Sequence, residues 1–479
     1  MQAQPSSLTR RGLLGAMGAS AVVIGFDAAA GRWVGEDDGV ARHVFHGLPP
    51  LDGQLLLDGP TRSGYAKDYG LIVSEQPLAV LKPGSVADVS RLLAFAGRHG
   101  IRVVGRGRGH TVFGQSQLQA GVVIDLSTLQ TIHAIGPDRV EVDAGMRWST
   151  LLQATLAQGL MPPALTDFIG QTVGGTLSVG GIGCMTHRHG AQVDNVLALQ
   201  VVTGAGEWLA CSATLRPELF EAALAGQGQV ALIVRATLRL QPAPPRIRVA
   251  TLIYPDGPTL TADAALLAED GRFEVLEAFA VPQGGGWVHA LQVGSYYAPP
   301  AVPDPALLDG LRDLRAFASF EDLAFTDFAN RVPDRAATQV HPWIDLMLPY
   351  PAIDGFVAEV QQTLRPLVAG DSFSLLMIPM RTQRFTRPLF RAPHSKLAFG
   401  FGILRSLPAG SPVLPQVLAF NRQLFERSRS LGGTHYPISA LPMAAADWAA
   451  HYGPQLGRLQ KLKALHDPQR VLAGGPDFL

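Results

Sequence analysis

Two glycine-rich segments in the first half of the chain most constrain its fold. Residues 103–115 are VVGRGRGHTVFGQ and follow an apolar run, and residues 170–183 are GQTVGGTLSVGGIG. Glycine lets backbone N–H groups approach a ligand closely, and that ligand is commonly a pyrophosphate. A plain tight turn explains one such segment, whereas two indicate a dinucleotide held from two sides. The G-x-G-x-G-H spacing differs from the nicotinamide fingerprint, so an ordinary Rossmann site is disfavoured.

The residues before the first glycine segment predict a βαβ-like unit. The run LAVLK is strand-like, Ser85 and Asp88 resemble a capping box, and apolar residues recur at helical spacing over 89–96. Gly100 is a natural helix end. The next strand, IRVVG, leads directly into the glycines. The hairpin 131–146 is predicted to turn at 136–138, and residues 172–196 are predicted to form a long loop.

A proline-rich break near residue 244 divides the chain. Beyond it, longer strand-like runs alternate with amphipathic helices, which is typical of an α+β domain with an antiparallel sheet. We predict a signal at 1–30, a lead-in at 31–74, one domain at 75–245 and a second at 246–432. A C-terminal segment, 433–479, is predicted to be helical.

The amino-acid composition limits the kinds of molecule that the protein is expected to bind. The 479 residues contain 39 Lys+Arg and 39 Asp+Glu, and the pI is about 7.3. This balance leaves no excess of positive charge for binding nucleic acid, and it favours a small, mostly neutral substrate. Two cysteines, Cys184 and Cys211, could form one bridge, but two buried thiols fit better.

The N-terminus predicts export. Arg10 and Arg11 precede an apolar stretch over 12–26, and Ala28 and Ala30 give an A-x-A cleavage site. The stretch is short and glycine-rich for a membrane span. We expect a twin-arginine signal that directs the protein to the periplasm or outside the cell, without a membrane span in the mature form. A Sec-type signal or a retained anchor is the alternative.

An ordered set of segments resembles the vanillyl-alcohol-oxidase/p-cresol-methylhydroxylase (PCMH-type) FAD flavoproteins, and among them the cytokinin dehydrogenases. The segments are PLAVLK through GHTVFGQ, LTDFIGQTVGG through WLACS and, more weakly, FEVLEAF, HPW, GGTHYP, DWAAHYG and HDPQRVLAGG. The resemblance implies an α+β fold. Its FAD-binding domain has two α/β subdomains, and its substrate domain is an antiparallel sheet with helices.

The resemblance also explains the histidine after the glycines. In these enzymes it is bonded covalently to FAD, and His110 matches it; the alternative is a hydrogen bond to non-covalent FAD. A second, cysteinyl link is not expected, because Gly170 occupies its position and Cys184 lies too far along the loop. The implied cofactor-binding residues are Gly105, Arg106, Gly107, Arg108, Gly109, His110, Thr111, Gln115, Asp167, Thr172, Gly174, Gly175, Ser178, Gly181 and Val234.

Catalytic candidates follow from the same resemblance. Asp167 matches an aspartate in a T-D-[FY] motif that accepts the amine proton, although Asp also commonly caps a turn. Glu277 matches a substrate-domain glutamate or is an ordinary strand carboxylate. Trp343, in HPW, lines the substrate pocket or belongs to the core. The C-terminal glutamine of the plant-like pattern is replaced by Pro476.

The implied activity is oxidation of the secondary amine of N6-alkenyl adenines to an imine, which hydrolyses to adenine and an aldehyde. Oxygen or a quinone would be the electron acceptor. One alternative is a flavin oxidase of an alcohol such as a sugar, alditol or aldonolactone. A flavin-binding protein without turnover is another. The run CMTHRH (184–189) does not match a zinc pattern, so we predict no metal site.

Overall fold

The computed structural model describes residues 23–38, 46–311, 316–317, 320–332, 338–473 and 478–479. Arg10 and Arg11 lie outside these ranges, so the twin-arginine signal stays a prediction, and Pro476 lies outside them too. Val23–Asp27 pairs with Arg32–Gly35, and His46–Gly47 completes this small sheet.

A four-stranded sheet carries the first glycine segment at its edge. Its strands in spatial order are Gln54–Leu56, Ala79–Lys82, Val122–Asp125 and Val103–Arg106. The last three are parallel, and the helix Val86–His99 connects two of them. The predicted βαβ unit is therefore confirmed, and the glycines follow the carboxyl end of a strand.

The start of this helix differs from the prediction. Ser85 is the N-cap residue, but its side chain makes no capping hydrogen bond. The buried Asp88 carboxylate accepts from the backbone N–H groups of Asp52, Gly53 and Gly84 instead. The predicted capping box was wrong because these three backbone donors, two of them about 35 residues away in sequence, occupy the Asp88 carboxylate. The predicted end is confirmed, since Gly100 has φ +65°.

A five-stranded antiparallel sheet follows. In spatial order it contains Trp208–Ser212, Val196–Thr203, Ala231–Arg239, Arg139–Asp143 and Ile132–Ile135, so the hairpin turning at 136–138 is confirmed. The prediction of a long loop over residues 172–196 was partly wrong, because the second glycine segment contains the helix Val173–Leu177. Thr176 N donates to Thr172 O at 3.1 Å, which closes its first turn.

The second half of the chain forms a large antiparallel sheet. In spatial order its strands are Ala316–Phe317, Arg246–Tyr254, Gly286–Tyr297, Val275–Gln283, Ser372–Arg381, Leu397–Ser406, Ile344–Pro349 and Thr434–His435, with Glu321–Ala324 also paired to Arg246–Tyr254. The helices Gly257–Asp270, Ala352–Thr363 and Leu414–Ser430 cover one face through a shared apolar core. The predicted α+β class is confirmed.

The remaining elements are short or lie at the edges. The helices are Gly59–Tyr65, Trp148–Leu156, Thr186–His189, Pro217–Ala223, Phe325–Ala329, Ala445–Tyr452 and Pro454–His466, with 3-10 turns at Glu36–Asp38, Leu126–Thr128, Gln192–Asn195, Pro305–Leu308 and Thr382–Arg384. Leu160–Met161 pairs with Gln241–Pro242. In the part of the chain that the structure describes, no helix has the length and apolarity needed to cross a membrane.

The C-terminal segment returns to the four-stranded sheet. Val103 N donates to Val471 O at 2.8 Å, and Ala473 N donates to Val103 O at 2.9 Å. Lys463 fixes this segment, because its buried Nζ donates to Gln229 O and Leu472 O and lies 2.7 Å from Asp467 Oδ2. The chain end is therefore bound to the same half of the molecule as the glycine segments.

Loss of this buried cation should weaken the fold. We expect Lys463→Met to lower the free energy of unfolding by about 3–5 kcal/mol, because Asp467 stays buried without its cation. Equilibrium unfolding in urea measures the change, and Lys461→Met at an exposed position on the same helix is the control. Equal unfolding midpoints for the two variants would contradict the assignment.

Candidate active site

A cavity lies between the two glycine segments and the large sheet. The cavity and its opening enclose about 1660 Å³ free of protein atoms. Both glycine segments and the large sheet contribute residues to its wall, so a ligand bound there would contact all three. The predicted residues in its wall are Gly105, Arg106, Gly107, Arg108, Gly109, His110, Thr111, Gln115, Asp167, Thr172, Gly174, Gly175, Ser178 and Trp343.

The two glycine segments contact each other at the cavity floor. A Cβ on Gly107 would lie 2.1 Å from Thr172 Oγ1, so this position requires glycine. Gly109 has φ +65°, and a Cβ there would meet the Arg106 guanidinium at 2.4 Å. Arg106 itself donates to Lys67 O at 2.8 Å. The glycines therefore allow one segment to pack on the other while both face the cavity.

His110 belongs to a stack of rings on the cavity wall. Its ring lies 4.2 Å from that of Tyr69 at an angle of 14°. The other face of Tyr69 stacks on His341 at 4.4 Å and 6°. Phe168 and Trp343 lie beside His110 at 5.1 and 5.9 Å. This packing fixes the plane of the His110 imidazole.

A buried aspartate, absent from the sequence predictions, shapes the loop after His110. Asp68 Oδ2 accepts from Thr111 Oγ1 at 2.9 Å and from Gly114 N at 2.7 Å. Burial raises the pKa of Asp68 to about 6, against these two hydrogen bonds. Tyr69 N donates to Gly109 O at 2.8 Å, so residues 68–69 bind the loop on both sides of His110.

Asp167 and Glu277, predicted as the catalytic pair, are brought together by Arg331. Arg331 Nη2 lies 3.0 Å from Glu277 Oε2 and 3.4 Å from Asp167 Oδ1. The carboxylate side chains are 5% and 12% exposed, so solvent screens this group only weakly. The guanidinium lies over the Phe328 ring, 4.1 Å from its centroid. One partly buried guanidinium is therefore shared by the two carboxylates.

The proton affinity of this cluster is shifted upward. Burial, and then the charge of Asp167, raise the pKa of Glu277 to about 8, while Arg331 acts in the opposite direction. Cys184 lies in the same cluster, with its Sγ 3.6 Å from Arg331 Nη2. Burial raises the pKa of the Cys184 thiol, which keeps it neutral. The cluster can therefore hold a proton at neutral pH next to a cavity-facing carboxylate.

Three predicted residues lie outside the cavity wall. Gly181 N donates to Tyr436 Oη at 3.0 Å behind the wall. Val234 is fully buried in the apolar core, and Leu232 and Ile233 reach the cavity from the same strand. Glu277 lies behind Asp167 and is linked to this wall residue by the ion pairs that both carboxylates make with Arg331.

The CMTHRH run supports the wall. Cys184 N donates to Asp167 Oδ1 at 3.4 Å, and His187 Nε2 lies 2.9 Å from Phe273 O. Burial lowers the pKa of His187 to about 4. Both cysteines are buried and free.

Comparisons with known protein families identify the class of protein. Residues 77–212 match the model of an FAD binding domain, and residues 304–478 match that of the FAD and cytokinin binding region of cytokinin dehydrogenase 1. The fold and the matched families are those of a PCMH-type FAD-dependent oxidoreductase.

Relatives that match this chain over most of their length identify the family within this class. Cytokinin dehydrogenase 2 of Arabidopsis thaliana is 31% identical over 89% of this chain and 94% of its own length. Cytokinin dehydrogenase 5 of Oryza sativa subsp. japonica is 32% identical over 88% and 90%. An uncharacterized oxidoreductase of the fasciation locus of Rhodococcoides fascians is 34% identical over 85% and 95%. The chain belongs to the cytokinin dehydrogenase family.

Proposed function

We propose that this protein oxidises the secondary amine of N6-alkenyl adenines and releases adenine and an aldehyde after the imine hydrolyses. The observation that carries the proposal is Asp167, a mostly buried carboxylate in the cavity wall that shares Arg331 with Glu277. A base of this kind suits the N–H proton of an amine. The names of the relatives support the same substrate class.

The residues present fit FAD. Both glycine segments line the cavity, and the imidazole of His110 forms part of its wall. When bound there, FAD supplies the hydride acceptor. The protein positions the substrate amine against Asp167, whose carboxylate takes the N–H proton. Arg331 keeps the Asp167–Glu277 pair able to accept that proton.

Product analysis tests the proposal. The FAD-loaded enzyme is incubated with isopentenyladenine and an artificial quinone acceptor, and adenine and the aldehyde are quantified by mass spectrometry. We expect one adenine and one aldehyde for each acceptor reduced. Acceptor reduction by an alditol or aldonolactone, without purine turnover, would move the protein to the alcohol-oxidising branch.

We further propose that FAD is covalently attached to His110. Wild-type protein is then expected to keep its yellow colour after acid precipitation, whereas His110→Ala should release all of its flavin into the supernatant, because the attaching nitrogen is gone. His341→Ala is the control, since it removes the far end of the ring stack and leaves the imidazole in place. Flavin retained by the His110→Ala pellet would contradict the attachment.

Export by the twin-arginine route completes the proposal. Its support is the Arg10–Arg11 pair and the apolar stretch that follows. Fractionation of cells with and without a functional twin-arginine translocase tests it. Export that persists without that translocase would favour the Sec-type alternative.

A further inference from the structure

Asp345 is a carboxylate in the cavity wall that the proposed chemistry does not use. It lies on the strand Ile344–Pro349, and its neighbours Ile344 and Leu346 are buried in the core on the helix-covered side of the sheet. Side chains alternate along a strand, so Asp345 projects to the opposite side, toward the cavity. Its backbone is fixed, because Asp345 N donates to Ser439 Oγ at 2.8 Å.

The carboxylate is unpaired within the described ranges. Its Oδ2 atom is buried and no protein group there donates a hydrogen bond to it. Burial raises the pKa of Asp345 to about 7. Asp167 and Glu277 differ in this respect, because they share Arg331. A buried carboxyl group without a partner is costly to fold, and a ligand with a hydrogen-bond donor would offset that cost.

The adjacent strand leaves the carboxylate accessible from the cavity. Gly402 pairs with Asp345 in one direction and with Leu376 in the other. A Cβ on Gly402 would lie 3.0 Å from Asp345 Oδ1 and 3.8 Å from the Leu376 Cβ atom. A larger side chain would therefore crowd the carboxylate, whereas glycine leaves space beside it.

The wall beside Asp345 is mostly apolar, with Tyr436 as a polar neighbour whose backbone N donates to Asp345 O at 3.1 Å and whose Oη accepts from Gly181 N. Leu376, Ile378, Leu404 and Ile438 form the neighbouring wall. An unpaired carboxylate in such a wall fixes the orientation of a ligand, because few arrangements place a donor of the ligand against it. Asp345 thus has the position and chemistry of an orienting group.

We infer that Asp345 accepts a hydrogen bond from an N–H or O–H group of the bound substrate and thereby determines which substrates are preferred. The inference rests on the proposed function, because two donors are available on N6-alkenyl adenines besides the reacting amine. One is the ring N–H of the purine, and the other is a hydroxyl group on the alkenyl side chain. The two sources share the same chemistry, and experiment separates them.

The test compares wild-type protein with Asp345→Leu. Anaerobic flavin reduction is followed against the concentration of isopentenyladenine, its 9-methyl derivative and its side-chain-hydroxylated form, and saturation gives each Kd. If the ring N–H is the donor, the variant should weaken binding of the two unmethylated purines by about tenfold to a hundredfold and spare the 9-methyl derivative. If the hydroxyl is the donor, only the hydroxylated form should lose affinity.

Other outcomes overturn the inference. Equal Kd values in variant and wild type, or an equal loss for all three purines, would show that Asp345 does not contact a donor of the substrate. A lower FAD content with unchanged Kd in the loaded fraction would assign the carboxylate to the cofactor instead. If wild-type flavin is reduced by none of the purines, the proposed function itself fails, and this assignment fails with it.

A second variant protects the test against misfolding. Asp345→Asn keeps the shape of the side chain and replaces the carboxylate by a weaker acceptor. We expect it to retain the wild-type melting temperature and to show the same pattern of Kd changes with smaller magnitude. If the folded Asp345→Asn and Asp345→Leu proteins both give the wild-type Kd values for all three purines, Asp345 does not determine specificity.

Discussion

Replacement of Asp167 by asparagine is expected to slow flavin reduction by isopentenyladenine by about 10²- to 10⁴-fold, the range found for loss of a general base. Asparagine has nearly the same shape and its side-chain oxygen can still accept from Cys184 N, 3.4 Å away. It cannot take up the amine proton. FAD content should therefore stay the same while the rate falls.

Anaerobic stopped-flow absorbance measures this rate directly. Glu274→Gln is a matched control, because Glu274 precedes the same strand as Glu277 but is paired with Arg188 rather than Arg331. We expect the control to reduce its flavin at close to the wild-type rate. A fast Asp167→Asn enzyme would show that Asp167 is structural and that another group accepts the proton.

Replacement of Arg331 by methionine is expected to change the pH dependence of the same reaction. Arg331 holds the pKa of Glu277 below the value that burial and Asp167 would otherwise give it. Without the guanidinium, the carboxylate pair retains a proton to higher pH. The acidic limb of the rate profile should therefore move upward by roughly one to three pH units.

The fold should also respond to the loss of Arg331. Two largely buried carboxyl groups, which share a proton at neutral pH, are left without their common cation, so the free energy of unfolding should fall by about 3–5 kcal/mol. The double variant Arg331→Met/Glu277→Gln should recover part of this loss, because it removes one of the two carboxylates. Urea unfolding of both proteins measures the difference.

Arg331→Lys separates charge from shape. Lysine restores the positive charge without the planar fork, so the rate profile should return most of the way to that of the wild type. A profile that stays unshifted in Arg331→Met would contradict the assigned role. An equal shift in the Lys and Met variants would show that the geometry of the guanidinium, not its charge, is what matters.

Sequence patterns predicted those helices and strands well whose stabilising contacts come from residues nearby in the sequence. Helical spacing and Gly100 defined the helix Val86–His99, and its cap could not be predicted because Asp88 binds backbone groups about 35 residues away. The helix Val173–Leu177 was missed because its glycines suggested a loop, whereas backbone hydrogen bonds to Ala144 O and Met146 O stabilise its start.

The candidate site was only partly predictable, because contacts between residues distant in sequence leave no local pattern. His110 and Asp167 lie in recognisable motifs, and both line the cavity. Arg331 lies 164 residues from Asp167 and 54 from Glu277, and no local pattern relates it to either. Asp345 follows the HPW segment, yet only the three-dimensional structure shows that its buried Oδ2 atom lacks a hydrogen-bond partner among the described residues.

The most direct test of the central claim is anaerobic mixing of the FAD-loaded protein with isopentenyladenine, an alditol and an aldonolactone in separate experiments, while the visible band of the oxidised flavin is recorded. We expect rapid bleaching by the purine alone. Bleaching by a polyol or lactone, with the purine inert, would contradict it and would show that the cavity serves oxidation of an alcohol.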